Sequence, residues 1–120
     1  MVKYGKEKDN KNSYLTFEIE NGKGNICEYN DDGDLIFEGE YLNGERNGKG
    51  KEYNKNGILI FEGEYLNGKK NGKGKECNKY GKVLFDGEYL IGERNGKGKK
   101  YNKYGELEYE GEFIFGKRFD

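Results

Sequence analysis

The chain has 120 residues, of which only 32% are hydrophobic and 38% are charged, with a mean hydropathy of -1.20. That balance argues against a thick globular core and leaves no apolar run long enough to span a bilayer as a helix. Basic (22) and acidic (23) residues nearly cancel, so no net charge draws the chain to nucleic acid or anionic lipid, and the absence of His excludes Ser-His-Asp and Cys-His nucleophiles.

Residues 1–13 are too charged for a signal peptide and are expected to form a partly disordered tail. A cytoplasmic location is the accompanying expectation. From residue 14 onward the chain repeats. Residues 14–36 are a degenerate first unit, in which Glu28-Tyr29-Asn30 precedes Glu52-Tyr53-Asn54 by 24 residues. Asn30-Asp31-Asp32-Gly33-Asp34 superficially suggests a calcium loop, but a proper one needs a longer ligand series ending in a bidentate Glu. The same slot later holds Asn54-Lys55-Asn56-Gly57, so a turn is the better reading.

Three full units follow, 37–60, 61–84 and 85–108, and then a truncated one, 109–120. Within each, residues alternate with a period of two. Leu59, Phe61, Gly63 and Tyr65 share one face, and Ile60, Glu62, Glu64 and Leu66 share the other, which indicates strands. A second, shorter strand is predicted from Lys49 to Tyr53, with the Asn-Gly-rich stretch 43–48 as the loop between the two. The expected fold is therefore all-β: an elongated antiparallel β-hairpin array of about five 24-residue units, a meander ribbon on the order of 50 Å long. One hairpin cannot bury its own aromatic face, so units must stack. Mid-strand Gly39, Gly63, Gly87 and Gly111 are expected to make room for a ring from the adjoining unit. In the last unit Glu108 replaces the Ile or Leu of earlier copies, as a solvent-facing cap requires. Phe113-Ile114-Phe115 either closes the core or forms a dimer contact.

The pattern Phe61-Glu62-Gly63-Glu64-Tyr65, then Asn67-Gly68, then Asn71-Gly72-Lys73-Gly74, resembles the MORN repeat (membrane occupation and recognition nexus), and bacterial MORN-like proteins in particular. The resemblance implies a twisted hairpin array with an aromatic groove, used for scaffolding, self-association and, less securely, phospholipid binding. Two departures stand out. Tyr41, Tyr65, Tyr89 and Phe113 fill the position where the family has Trp, and Asn47, Asn71 and Asn95 replace its His. Loss of Trp weakens interfacial anchoring to a membrane.

Little chemistry is left for catalysis. Carboxylate pairs such as Glu38 and Glu40 recur in every unit, whereas an active site need occur only once, so no enzyme activity and no cofactor are expected. Cys27 and Cys77 lie about two units apart, too far for a disulfide, and lack metal-ligand spacing. The informative remainder is charge. First strands carry acids, and second strands carry Lys49 and Lys51, Lys73 and Lys75, and Lys97 and Lys99. If acids and bases share a face, they form cross-strand pairs. If they project oppositely, a basic face joined by Arg46, Lys70 and Arg94 could hold phosphates. These Lys and Arg residues, with Tyr41, Tyr65 and Tyr89, are the candidate binding residues. The expected partner is a protein or a second copy of the chain. A peripheral anionic membrane is the alternative, and nucleic acid is not expected.

Overall fold

The computed structural model describes residues 2–8 and 14–120. They form one antiparallel sheet of eleven strands, each hydrogen-bonded to the next in sequence order. The strands are β1 (Val2–Lys8), β2 (Tyr14–Glu20), β3 (Lys23–Tyr29), β4 (Leu35–Leu42), β5 (Glu45–Tyr53) and β6 (Leu59–Leu66). They continue as β7 (Lys69–Cys77), β8 (Val83–Leu90), β9 (Glu93–Tyr101), β10 (Leu107–Ile114) and the two-residue β11 (Lys117–Arg118). The expected all-β meander is what forms. Ten strand spacings of about 4.8 Å account for the long axis of 49 Å.

Part of the expected N-terminal tail is a strand. β1 pairs along the whole of β2, from Val2 opposite Glu20 to Lys8 opposite Tyr14. Residues 1 and 9–13 of that tail lie outside the described residues.

The hairpin turns are tighter than the sequence suggested. Asn43-Gly44 and Asn67-Gly68 are two-residue turns with φ of 49° and 86°, and 51° and 84°, the doubly positive geometry of a type I′ hairpin. Asn47-Gly48, assigned to the same loop from sequence, lies instead inside the nine-residue β5, which starts at Glu45. There the register slips, because Gly39 faces Gly50 but Tyr41 faces Arg46, leaving the extra residues as a bulge with Gly48 at φ 104°. Asn-Gly signals positive φ, and a bulge needs it as much as a turn does.

The inter-unit loops share one construction. The Asn54 Oδ1 accepts the Asn56 and Ile58 amides at 2.9 and 3.1 Å, and the Asn78 and Asn102 side chains repeat the arrangement. The Asn30 Oδ1 does the same for Asp32 and Asp34, at 3.0 and 2.9 Å. The acidic segment is therefore built as a turn, with its lead side chain committed to the backbone.

The core is one ring deep. Phe37, Phe61, Phe85 and Phe113 are all but fully buried, joined by Tyr65 and Tyr89. The apolar run near the C-terminus divides accordingly: Phe113 closes the core, while Ile114 and Phe115 are 41% and 75% exposed.

Candidate functional site

Residues opposite each other on neighbouring strands share a face, so register settles how the sheet is divided. Phe37 is opposite Glu52, which is opposite Phe61, and so on along the ribbon, while Tyr41 is opposite Arg46. All of these project from one face, the aromatic face. Glu38 is opposite Lys51, and Lys51 is opposite Glu62. These project from the other, charged face.

On the aromatic face the rings form a continuous edge-to-face chain running from Tyr41 through Phe37, Tyr65 and Phe61 toward Tyr109, with centroids 4.9–6.1 Å apart. Glycine makes this possible. A methyl group on Gly50 would sit 2.6 Å from the Phe37 ring and 3.0 Å from the ring of Tyr65 in the next unit. On Gly39 it would meet the Gly50 Cα at 2.6 Å and, at 2.8 Å, the Phe37 ring of its own strand. The ring of the adjoining unit thus lies over the second-strand glycine, and the first-strand glycine is covered by its own unit.

Cations lid the rings. The Arg46 guanidinium lies 3.9 Å from the Phe37 centroid, the Lys70 ammonium 4.0 Å from that of Phe61, and the Arg94 guanidinium 4.6 Å from that of Phe85. Each is tied to a Glu of the preceding second strand. Arg46 donates from Nε and Nη2 to Glu28 at 2.9 and 3.1 Å, and Arg94 grips Glu76 in the same way at 3.0 and 2.9 Å. Lys70, lacking the fork, reaches Glu52 at 3.6 Å. The same carboxylates accept the Tyr41, Tyr65 and Tyr89 hydroxyls at 2.6–2.7 Å. Burial and the adjoining carboxylate push all three Tyr hydroxyls well above their ordinary range. Burial alone would raise the Glu76 carboxyl, but hydrogen bonds from Arg94 and Tyr89 outweigh it and hold it below its ordinary value. The final unit breaks the pattern at two places together: Lys100 stands where the Glu should be, and Phe113 has no hydroxyl to donate to it. Lys100 turns instead to Glu108 at 2.9 Å, giving the capping residue its partner.

On the charged face Glu38, Glu62 and Asp86 alternate strand by strand with Lys51, Lys75 and Lys99. A second row carries Glu40, Glu64 and Glu88 beside the bulges. Their carboxylates bend back to accept the Lys49, Lys73 and Lys97 amides at 2.6, 2.8 and 2.9 Å. Between the rows runs a groove of about 630 Å³ crossing β3 to β7, floored by Gly39, Gly50 and Gly63. A further hollow of about 300 Å³ lies over Gly98 and Gly111. Among the described residues of the two rows, only Lys99 and Glu110 approach as an ion pair, at 3.9 Å. Tyr53 donates to Glu38 at 2.6 Å, and burial together with that carboxylate pushes its hydroxyl up to about 12. Cys77, in the slot that Tyr53 fills one unit earlier, is half-buried, and burial raises its thiol.

The residues singled out from sequence therefore divide between two faces. Tyr41, Tyr65, Tyr89, Arg46, Lys70 and Arg94 build the aromatic face, where their polar ends are engaged internally. Lys49, Lys51, Lys73, Lys75, Lys97 and Lys99 are exposed on the charged face, between acidic strands. A continuous basic face made of both sets does not form. Sequence reasoning passed over Glu28, Glu52 and Glu76, although their 24-residue recurrence and the paired change at Lys100 and Phe113 were visible. It also left unexplained the Asn47, Asn71 and Asn95 side chains. These accept the Asn67, Ile91 and Phe115 amides at 3.2–3.3 Å and so tie each unit to the hairpin turn of the next.

No curated protein matched the chain. The MORN repeat family model matches residues 37–58, 61–79, 85–103 and 109–118, more than half of the sequence and in step with the four hairpins β4 to β11. The chain belongs to the MORN-repeat family.

Proposed function

We propose that the chain is a non-catalytic interaction module that holds a protein partner, or a second copy of itself, along the charged face of the ribbon. Repeats of this family are associated in general with binding to proteins and membranes. The observation that carries the reading is the division of labour between the faces. Polar groups on the aromatic face are spent on one another, whereas six exposed Lys side chains project from the charged face, five of them lining its two hollows, with almost no ion pairing among the described residues. A repeat array offers such a surface over its whole length, which suits an extended contact better than a pocket.

The other reading, a binder of phosphoinositide-type lipid or nucleotide phosphates through a Lys and Arg face, has less behind it. Arg46 and Arg94 are committed to Glu28 and Glu76, and every basic strand on the opposite face is flanked by acidic ones. Two experiments separate the readings. Protein capture on the immobilised chain is expected to be lost in a Lys49→Gln/Lys51→Gln/Lys73→Gln/Lys75→Gln variant. Liposome co-sedimentation is expected to show no retention on anionic vesicles even at low salt. Salt-sensitive retention on anionic vesicles, with no protein captured, would overturn the proposal.

A further inference from the structure

We infer that the groove on the charged face takes an extended polypeptide of mixed charge, with about one acidic and one basic side chain in every three residues. The inference rests on the reading of that face as the binding surface and names the chemistry of its occupant.

From β4 to β7 the sign of the groove changes at each strand. Lys49 and Lys51 flank Gly50, Glu62 and Glu64 flank Gly63, and Lys73 and Lys75 flank Gly74. Strands about 4.8 Å apart give a full charge period of about 9.6 Å. Opposite stripes closer than the Debye length of about 8 Å cancel at a distance, so only a ligand in contact can read them. A uniform polyanion would meet an acidic stripe at every second strand, and a uniform polycation a basic one. The pattern thus selects against nucleic acid and against a purely basic peptide alike.

Geometry narrows the choice further. The walls are side chains two residues apart on one strand, about 6.8 Å, whereas an α-helix with its side chains is about 10–12 Å across. A second flat sheet would touch a hollow face only at its side-chain tips. An extended or polyproline II segment lying across the strands fits the width. At about 3.1 Å per residue, three residues cover about 9.3 Å, which matches the charge period. The acidic stripes are asymmetric. Glu64 is folded onto the Lys73 amide, while Glu62 stands free of any ion pair among the described residues. Basic side chains of the ligand should therefore meet Glu62 and Asp86, the members of their row not engaged as Glu38 is by the Tyr53 hydroxyl.

Fluorescence anisotropy on the whole chain tests this with two labelled peptides of identical composition. One is Pro-Lys-Glu repeated six times; the other is Pro-Lys-Lys three times followed by Pro-Glu-Glu three times. The triplet peptide is expected to bind at least about tenfold more tightly than its block isomer, and to weaken as salt rises. Lys51→Gln/Lys75→Gln is expected to reduce that affinity several-fold, and Lys103→Gln, in an inter-unit loop, to leave it unchanged. Equal binding of the two isomers overturns the charge-period match while leaving a protein-binding face in place. Absence of binding by both also overturns it, and the capture experiment then decides the wider reading separately.

Discussion

At the scale of single residues, the fold depends on a few side chains with no spare room and no spare hydrogen bond. A methyl group on Gly63 would lie 2.6 Å from both the Gly74 Cα and the Lys73 carbonyl oxygen, backbone atoms that cannot step aside. Gly63→Ala is expected to cost about 2–3 kcal/mol, read as a lower denaturant midpoint. The opposite sign is expected at Ile91, a β-branched residue held at φ 47° where Asn43 and Asn67 stand in earlier units. Ile91→Asn should stabilise by about 1 kcal/mol in the same measurement, because Asn tolerates the left-handed region. Glu76 sets a pH dependence. Its folded-state carboxyl lies below the ordinary value of 4.5, so the stability it contributes is fully present above that value and is lost as pH falls through the folded one. Glu76→Gln is therefore expected to be less stable at neutral pH and to lose less on acidification below about pH 4.5 than the wild type. Equal acid sensitivity would remove Glu76 from the account.

At the scale of elements, the strands and their parity were legible because alternation encodes them locally, whereas the loop read over residues 43–48 is a two-residue turn at Asn43-Gly44. The bulge was not legible, because Asn47-Gly48 carries the same signal as a turn and only pairing with β4 tells them apart. The N-terminal strand β1 escaped notice for another reason: MVKYGKEKDN has too little apolar alternation to signal a strand, and its order comes from pairing with β2. The split of the candidate site between faces was likewise invisible until register fixed it, since parity within one strand cannot orient it against the next. Each bulge has its own lock, a Glu two positions ahead of the hairpin Leu. Glu64→Ala is expected to speed hydrogen exchange at the Lys73 amide, with little change at amides two strands away. Uniform acceleration across the sheet would mean the carboxylate supports more than its bulge.

At the scale of the molecule, the array is a ribbon whose aromatic face packs the units together and whose charged face is the surface proposed for binding. Its radius of gyration, 15.7 Å, exceeds the about 14 Å of a compact domain of this length. The repeat period, readable from sequence, sets the length, and the ring chain runs through the four units from residue 37 onward. On the charged face Glu40, Glu64 and Glu88 hold the bulges, while the side chains of Lys51 and Lys75 carry no such burden. The most direct measurement is a comparison of thermal or denaturant unfolding for two variants, Arg94→Ala on the aromatic face and Lys51→Gln/Lys75→Gln on the charged face. Arg94→Ala strips the lid from Phe85 and leaves the partly buried Glu76 without its cation, and is expected to cost about 2 kcal/mol. The double Lys variant is expected to stay within about 0.5 kcal/mol of the wild type. A large loss in the Lys variant with none in Arg94→Ala would contradict the division of labour on which the proposed function stands.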